Sequence, residues 1–144
     1  MSNVAHVLKD KGNPAIYTVK PNSTVLDAIK LMAEKGIGAL VVTDDNNKVA
    51  GILSERDYTR KIILMERTSK ETTVSEIMTA KVLTVTKSNS VEDCLNLMTD
   101  RHLRHLPVVE NDKLIGLISI GDLVKVVMEE QRKLIDQLQQ YIAS

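Results

Sequence analysis

Aromatic residues are nearly absent from this chain of 144 residues, which has three tyrosines and neither phenylalanine nor tryptophan. Hydrophobic residues still make up 43% of the sequence, so the core must be built from aliphatic side chains. The scarcity of rings argues against a single-stranded nucleic-acid binder, because such proteins stack bases on aromatic side chains. The net charge of zero argues against duplex binding, for which a basic face supplies much of the affinity. We therefore expect no nucleic-acid partner.

The sequence also gives little support for disulfides, membrane segments or metal sites. The single cysteine, Cys94, cannot form an intrachain disulfide, which favours a reducing compartment. No apolar run approaches the roughly 18 residues of a membrane span, and the first twenty residues lack the apolar stretch of a signal peptide. The three histidines and the cysteine show no metal-ligand spacing. We expect a cytoplasmic protein with no membrane association and no bound metal.

Catalytic motifs are also missing. The sequence has no nucleophile elbow, no Walker loop and no HExxH pattern. Gly36-Ile37-Gly38 does not fit a dinucleotide-binding loop, because the third glycine is missing and the pair follows a predicted helix instead of a strand. We therefore predict that the protein is not an enzyme, and we assign no catalytic residue.

The most informative feature is an internal repeat. At an offset of 66 residues, the matching pairs are Val25 and Val91, Asp27 and Asp93, Leu31 and Leu97, Met32 and Met98, Leu40 and Leu106, and Val42 and Val108. After a one-residue deletion in the turn that follows Asp44, the offset becomes 65, and the matching pairs are Gly51 and Gly116, Ser54 and Ser119, and Asp57 and Asp122. The chain therefore divides into two copies of one unit, residues 1–73 and residues 74–144.

Each unit reads as strand, helix, strand, strand, helix, which is an α/β arrangement. Thr24 and Ser90 are typical N-caps, and each is followed three residues later by aspartate. The final helices are predicted to begin near Glu55 and Ile120. The predicted strands are residues 16–19, 39–43 and 49–53 in the first unit and residues 83–86, 105–109 and 114–118 in the second.

Two flanking segments lie outside this pattern. Residues 2–10 are predicted to form a short helix, and the last helix of the second unit extends well beyond its counterpart in the first. An amphipathic stripe on the long helix suggests packing against another copy, so we expect a homodimer. The stripe consists of Leu123, Val124, Val127, Leu134, Ile135, Leu138 and Ile142.

The segments 51–57 and 116–122 carry the most specific pattern, in which a glycine, an apolar strand and a serine precede an aspartate, and the segment 104–109 forms the entry to the second strand of the more basic copy. With them, residues 16–128 resemble the cystathionine-β-synthase (CBS) domain family. The resemblance implies that the two repeats associate about a pseudo-twofold axis and form two clefts. It also implies a regulatory role toward an unidentified partner protein, with AMP, ADP, ATP, NAD(H) or S-adenosylmethionine as the ligand.

The resemblance further implies that each cleft combines the Ser-x-x-Asp segment of one repeat with the first two strands of the other. The first cleft, here called the Asp57 cleft, would contain Ser54, Arg56, Asp57, Val82, Leu83, Leu103, Arg104 and His105. The second, the Asp122 cleft, would contain Ile16, Tyr17, Thr18, Ile37, Gly38, Ala39, Ser119 and Asp122, with Lys20 or Arg60 in reach.

Simple chemistry agrees with these assignments but leaves alternatives open. An aspartate can accept both hydroxyls of a ribose, and the start of a helix suits phosphate oxygens. Ser-x-x-Asp is also an ordinary helix cap, and the two roles are compatible. Arg104 and a protonated His105 would favour polyphosphate ligands in the Asp57 cleft, although both residues could instead form a solvated edge.

We therefore expect an adenosine-nucleotide sensor without catalytic activity. One alternative is a CBS scaffold that associates with proteins and binds no nucleotide. A second alternative is a weak enzyme.

Overall fold

The architecture is a tandem α/β repeat, which a computed structural model describes for residues 2–12 and 14–143. The first half contains α1 (Val4–Asp10), β1 (Thr18–Val19), α2 (Val25–Lys35), β2 (Ala39–Thr43), β3 (Val49–Ser54), α3 (Glu55–Tyr58) and a π-helical turn (Thr59–Ile63). The second half contains α4 (Val74–Ile77), α5 (Val91–Arg101), β4 (His105–Glu110), β5 (Lys113–Ser119) and α6 (Ile120–Ala143). The predicted fold class is confirmed.

The long helix of each repeat begins and ends as its sequence predicts. Thr24 accepts a hydrogen bond from the amide of Asp27, and Ser90 accepts one from the amide of Asp93. Gly36 ends α2 with a φ of 64°, and His102 ends α5 with a φ of 54°. Glycine is the usual residue in this left-handed conformation, so His102 takes a position that the first repeat gives to glycine.

The sheets differ between the repeats. In the first repeat, β1 pairs with β2 in parallel and β2 pairs with β3 in antiparallel orientation. In the second repeat, β4 and β5 form a two-stranded sheet. The predicted strand over residues 83–86 is wrong, because only Val85 pairs with Val108, in an isolated parallel bridge. Pro107 stands where the first repeat has Val41, and proline has no N–H to donate to a neighbouring strand.

Each of the two leading helices, α1 and α4, packs in the core of the other repeat. Val4, Val7 and Leu8 of α1 are buried in the core of the second repeat, whereas Val74 and Ile77 of α4 are buried in the core of the first. Residues 2–10 were expected to flank the repeats, but the structure places α1 inside one of the two cores. The predicted units 1–73 and 74–144 thus exchange their leading helices.

Backbone hydrogen bonds hold this exchange in place. The amide of Val91 donates to the carbonyl of Ser2 at 3.1 Å, and the amide of Val25 donates to the carbonyl of Thr72 at 2.9 Å. Isolated bridges join Asn3 to Ser90 and Thr24 to Thr73. Residues 2–5 therefore occupy the same structural position as residues 72–75.

Only the first turns of α6 pack on the protein. Leu123 and Val126 are buried, whereas every residue from 131 to 143 is exposed. Between the buried start and the exposed end of α6, the carboxylate of Glu130 accepts a hydrogen bond from the hydroxyl of Ser2. None of the helices within residues 2–12 and 14–143 combines the length and the hydropathy that a membrane-spanning segment needs.

Candidate functional site

The Asp57 cleft is a cavity of about 420 Å³ formed by both repeats. All eight residues predicted for it line the cavity, so the fold brings them together, while their contact with a ligand stays a prediction. Further lining residues are Gly38, Ile52, Glu55, Arg60, Thr79, Lys81 and His102. The sequence left open whether Arg60 would reach the Asp122 cleft, but the structure places it here.

Ser54 and Asp57 form a reciprocal cap at the start of α3. The amide of Asp57 donates to Oγ of Ser54 at 3.2 Å, and Oδ2 of Asp57 accepts from the amide of Ser54 at 3.0 Å. Oδ2 also lies 3.2 Å from Oγ of Ser54. Oδ1 lies 3.5 Å from the ammonium of Lys61. The cap thus occupies one carboxylate oxygen, and the same side chain can carry both roles that the sequence left open.

The Asp122 cleft is a cavity of about 460 Å³. Of its predicted residues, seven line the cavity: Ile16, Tyr17, Ile37, Gly38, Ala39, Ser119 and Asp122. Thr18 does not line it, because Thr18 lies in β1 and pairs with Val41. Lys20 does not line it either, because its ammonium donates to the carbonyl of Asp44 at 2.8 Å.

A lysine that the sequence reasoning missed contacts Asp122. The ammonium of Lys11 donates to Oδ2 of Asp122 at 2.8 Å and to the carbonyl of Leu117 at 2.8 Å. The amide of Ser119 donates to the same Oδ2 at 2.8 Å, and Oγ of Ser119 accepts from the amide of Asp122. Burial alone would raise the pKa of Asp122, but Lys11 and Ser119 outweigh it and lower that pKa below the usual value. Asp122 is therefore ionised at neutral pH.

Lys11 has a counterpart in the other cleft. Residues 2–5 and 72–75 occupy the same structural position, and the same offset aligns Lys11 with Lys81, which lines the Asp57 cleft, although α1 extends to Asp10 whereas α4 ends at Ile77. The Asp122 cleft thus contains a lysine from the segment before the strands of the first repeat, and the Asp57 cleft contains a lysine from the segment before the strands of the second. The signal in the sequence is a second alignment, at an offset of 70 residues, in which Val4 meets Val74 and Lys11 meets Lys81.

His105 and Gly38 line both cavities, so the two clefts meet at these residues. Burial lowers the pKa of His105, and the nearby charge of Asp122 opposes this shift while Lys11 and Arg104 add to it. This lowered pKa disfavours the protonated form of His105 at pH 7. Within residues 2–12 and 14–143, no group of three His, Cys, Asp or Glu residues could hold a metal ion.

Comparisons with known proteins agree with this architecture. The sequence profile of the CBS domain matches residues 8–64 and 74–129. A relative named CBS domain-containing protein CBSX3, mitochondrial, from Arabidopsis thaliana is 41% identical over 148 positions, which cover 98% of this chain and 72% of that protein.

Solved structures give the same result. A CBS-domain protein from Burkholderia ambifaria MC40-6 is 57% identical, with a TM-score of 0.84 and coverage of 90% of this chain and 96% of that one. CBSX2, solved in complex with AMP, is 31% identical, with a TM-score of 0.76 and coverage of 91% and 99%. CBS-domain pairs are in general regulatory modules that bind adenosine ligands. The chain belongs to the CBS-domain family, with two CBS repeats in tandem.

Proposed function

We propose that this protein binds an adenine nucleotide in the clefts between its repeats and transmits the bound state to a partner protein. The observation that carries the proposal is the duplicated Ser-x-x-Asp cap, in which hydrogen bonds of the cap end on Oδ2 of both Asp57 and Asp122. The second oxygen of each carboxylate can then accept a ribose hydroxyl. The AMP complex of CBSX2 supports this ligand class.

Apolar side chains at the cleft mouths suit an adenine ring. Ile16, Tyr17 and Leu83 are 37%, 36% and 36% exposed, which leaves apolar surface that no other part of the described chain covers. A planar base inserted beside them would remove that surface from water and would be stabilised accordingly. Of these three side chains, only Tyr17 is aromatic, in agreement with the composition of the chain.

The cations of the Asp57 cleft favour ligands with several phosphates. Arg56, Arg60, Lys81 and Arg104 line this cavity. Arginine donates two parallel hydrogen bonds to a phosphate, which makes it the preferred side chain for such ligands. We therefore assign ATP, ADP or NAD(H) to the Asp57 cleft in preference to the Asp122 cleft.

Because residues of both repeats line each cleft, a ligand that binds one arrangement of the repeats more tightly shifts the protein toward that arrangement. A partner protein could read this shift, and the chain needs no catalytic activity for such a role. The expected homodimer and the cytoplasmic location stay predictions. The scaffold alternative has one observation in its favour, the exposed surface of α6, which could associate with a protein in the absence of nucleotide.

Isothermal titration calorimetry against adenosine, AMP, ADP, ATP, NAD and NADH tests the proposal. GMP serves as the matched control, since it keeps the ribose and the phosphate and changes only the base. We expect adenine compounds to bind at up to two sites per chain and GMP to bind more weakly. Absence of binding for every adenine compound would refute the sensor and leave the scaffold.

A further inference from the structure

Lys11 is the cation closest to Asp122, and it enters the cleft from a distant part of the chain. Its side chain is 26% exposed and that of Asp122 is 23% exposed, so the ion pair is largely shielded from water. Of the described residues that line this cavity, Lys11 is the only lysine or arginine. Any phosphate in the Asp122 cleft would therefore depend on Lys11 for a permanent positive charge.

The ion pair creates a conflict for a ligand without phosphate. Lys11 and the amide of Ser119 both donate to Oδ2 of Asp122, so a ribose that places its two hydroxyls on the two carboxylate oxygens has to share Oδ2 with the ammonium or displace it. An ammonium displaced from Asp122 keeps its hydrogen bond to the carbonyl of Leu117 but loses the anion that neutralised its charge, which is unfavourable in a partly shielded cleft. Adenosine brings no anion to replace the carboxylate, whereas AMP brings a phosphate. The conflict is thus resolved only by a phosphorylated nucleoside.

The position of Lys11 in the chain allows the exchange. Lys11 lies one residue beyond α1 and precedes Gly12, which adopts a φ of 77° and has open space where a Cβ would stand. The ammonium is the mobile end of a long side chain, whereas Asp122 is held by its cap with Ser119. Lysine acts toward phosphate as a point charge and does not require one fixed geometry.

The Asp57 cleft is organised differently. Its cations include three arginines besides Lys81, and the lysine nearest to Asp57 is Lys61, at 3.5 Å from Oδ1. The ammonium of Lys61 also donates to the carbonyl of Ile77. No single cation therefore controls this cleft in the way that Lys11 controls the other.

We propose that Lys11 makes the Asp122 cleft selective for phosphorylated nucleosides, because its ammonium passes from Asp122 to the phosphate when a nucleotide binds. This inference rests on the proposed nucleotide binding. It assigns AMP-like monophosphates to the Asp122 cleft and excludes adenosine from it. It also makes α1, which leads directly to Lys11, the first element to sense the ligand.

The test compares AMP with adenosine in the Asp122 cleft alone. The full chain carrying Asp57→Ala, which weakens the other cleft, is titrated with each compound by calorimetry, with and without Lys11→Met. Methionine keeps the aliphatic stem and removes the charge. A charge-assisted hydrogen bond corresponds to roughly a tenfold change in affinity or more. We expect Lys11→Met to weaken AMP by about that factor and to leave adenosine unchanged or tighter.

Matched variants separate selectivity from a general effect. Lys9→Met removes the same charge from an exposed position on α1, and we expect it to leave the ratio of AMP to adenosine affinity unchanged. Lys11→Arg should retain the preference for AMP. Lys11→Gln keeps a donor for Asp122 and gives a second measurement of the ratio if Lys11→Met lowers the melting temperature.

The outcomes distinguish this inference from the proposed function. If the unmodified protein binds no adenine compound, the proposed function fails and this inference fails with it. If AMP and adenosine bind but Lys11→Met weakens both equally, Lys11 only shapes the cleft and the selectivity is wrong. If Lys11→Met strengthens both equally, Lys11 only competes for Asp122, and its transfer to phosphate is wrong.

Discussion

The amide of Ile120 donates a 3.0 Å hydrogen bond to the carbonyl of Arg104, which ties the start of α6 to the residue before β4. The first repeat contains the same bond, from the amide of Glu55 to the carbonyl of Gly38, also at 3.0 Å. The two repeats thus hold the same backbone in the same place. The repeats differ in the side chain at this position, which ends in a guanidinium group in Arg104 and is a hydrogen atom in Gly38.

This difference leads to a prediction for Arg104→Ala. Arg104 lines the Asp57 cleft, where its guanidinium can donate two hydrogen bonds to phosphate. We expect the substitution to weaken ATP by roughly tenfold or more, since charge-assisted hydrogen bonds contribute about 1.5–3 kcal/mol. Adenosine affinity should change little. Calorimetry with both ligands measures the difference.

Arg101→Ala is the control, because Arg101 is exposed on α5 and does not line the cavity. Equal losses for ATP and adenosine would mean that Arg104 shapes the cleft without contacting phosphate. Strong ATP binding that survives Arg104→Ala and disappears with Asp122→Ala would reverse the assignment of the two clefts.

The aspartates give a second prediction. Asp57→Ala and Asp122→Ala should each weaken one of two adenosyl sites by on the order of 1.5–3 kcal/mol, because each removes a charged acceptor for the ribose. The number of tight sites per chain, measured by titration with AMP, should fall in each variant. Both aspartates also cap helices, so Asp57→Asn and Asp122→Asn are the controls, since asparagine keeps an acceptor for the cap. Unchanged AMP binding in both alanine variants would rule out ribose contact.

Much of this fold could be predicted because both copies repeat the same local signals. Thr24 and Ser90 cap equivalent helices, and Gly36 predicts the end of the first. The missing strand in the second repeat could have been inferred from Pro107, since a proline at a strand position removes a donor.

The site could be predicted only in part, because distant segments complete it. Lys11 lies more than a hundred residues from Asp122, and α1 matches α4 mainly in its apolar positions. Lys20 was predicted to be within reach of the Asp122 cleft, but its ammonium donates to the carbonyl of Asp44. Contacts of this kind depend on three-dimensional packing and not on the spacing of residues within one repeat.

Because each leading helix packs in the core of the other repeat, the equivalent glycines Gly51 and Gly116 have different neighbours. We therefore expect alanine at these two positions to lower the free energy of unfolding by different amounts. A Cβ at Gly51 would lie 2.8 Å from the carbonyl oxygen of Thr79, which belongs to a backbone pairing with Ile52. A Cβ at Gly116 would lie 2.8 Å from Cδ2 of Leu8, the end of a flexible side chain. Overpacking typically costs about 1–3 kcal/mol, so Gly51→Ala should lie near the upper part of this range and Gly116→Ala near the lower part.

Urea unfolding monitored by circular dichroism measures both free energies of unfolding, and each glycine variant serves as the control for the other. A larger loss for Gly116→Ala would mean that the backbone near Thr79 yields more readily than the packing of Leu8.

The end of α6 gives the last prediction. Leu134, Ile135 and Leu138 are 55%, 54% and 53% exposed. An isolated helix as short as the exposed end of α6, residues 131–143, is only marginally stable in water. We therefore expect these residues to pack against a second copy. Truncation after Met128 should lower the molar mass measured by multi-angle light scattering, and Leu138→Glu should do the same.

Gln137→Glu adds the same charge on a neighbouring position outside the stripe and should leave the mass unchanged. A mass that stays constant on truncation would place any contact between copies elsewhere, for example on the exposed Ile63 and Leu64 after α3.

The burial of α1 in the second repeat also sets an order of events during synthesis on the ribosome. The side chains of Val4, Val7 and Leu8 pack with Leu123 and Val126, which emerge more than a hundred residues later. The first repeat likewise cannot complete its core until Val74 and Ile77 have been made. Helix α1 therefore lacks these core partners until residues up to Val126 have been translated, and it docks only after those residues have left the exit tunnel.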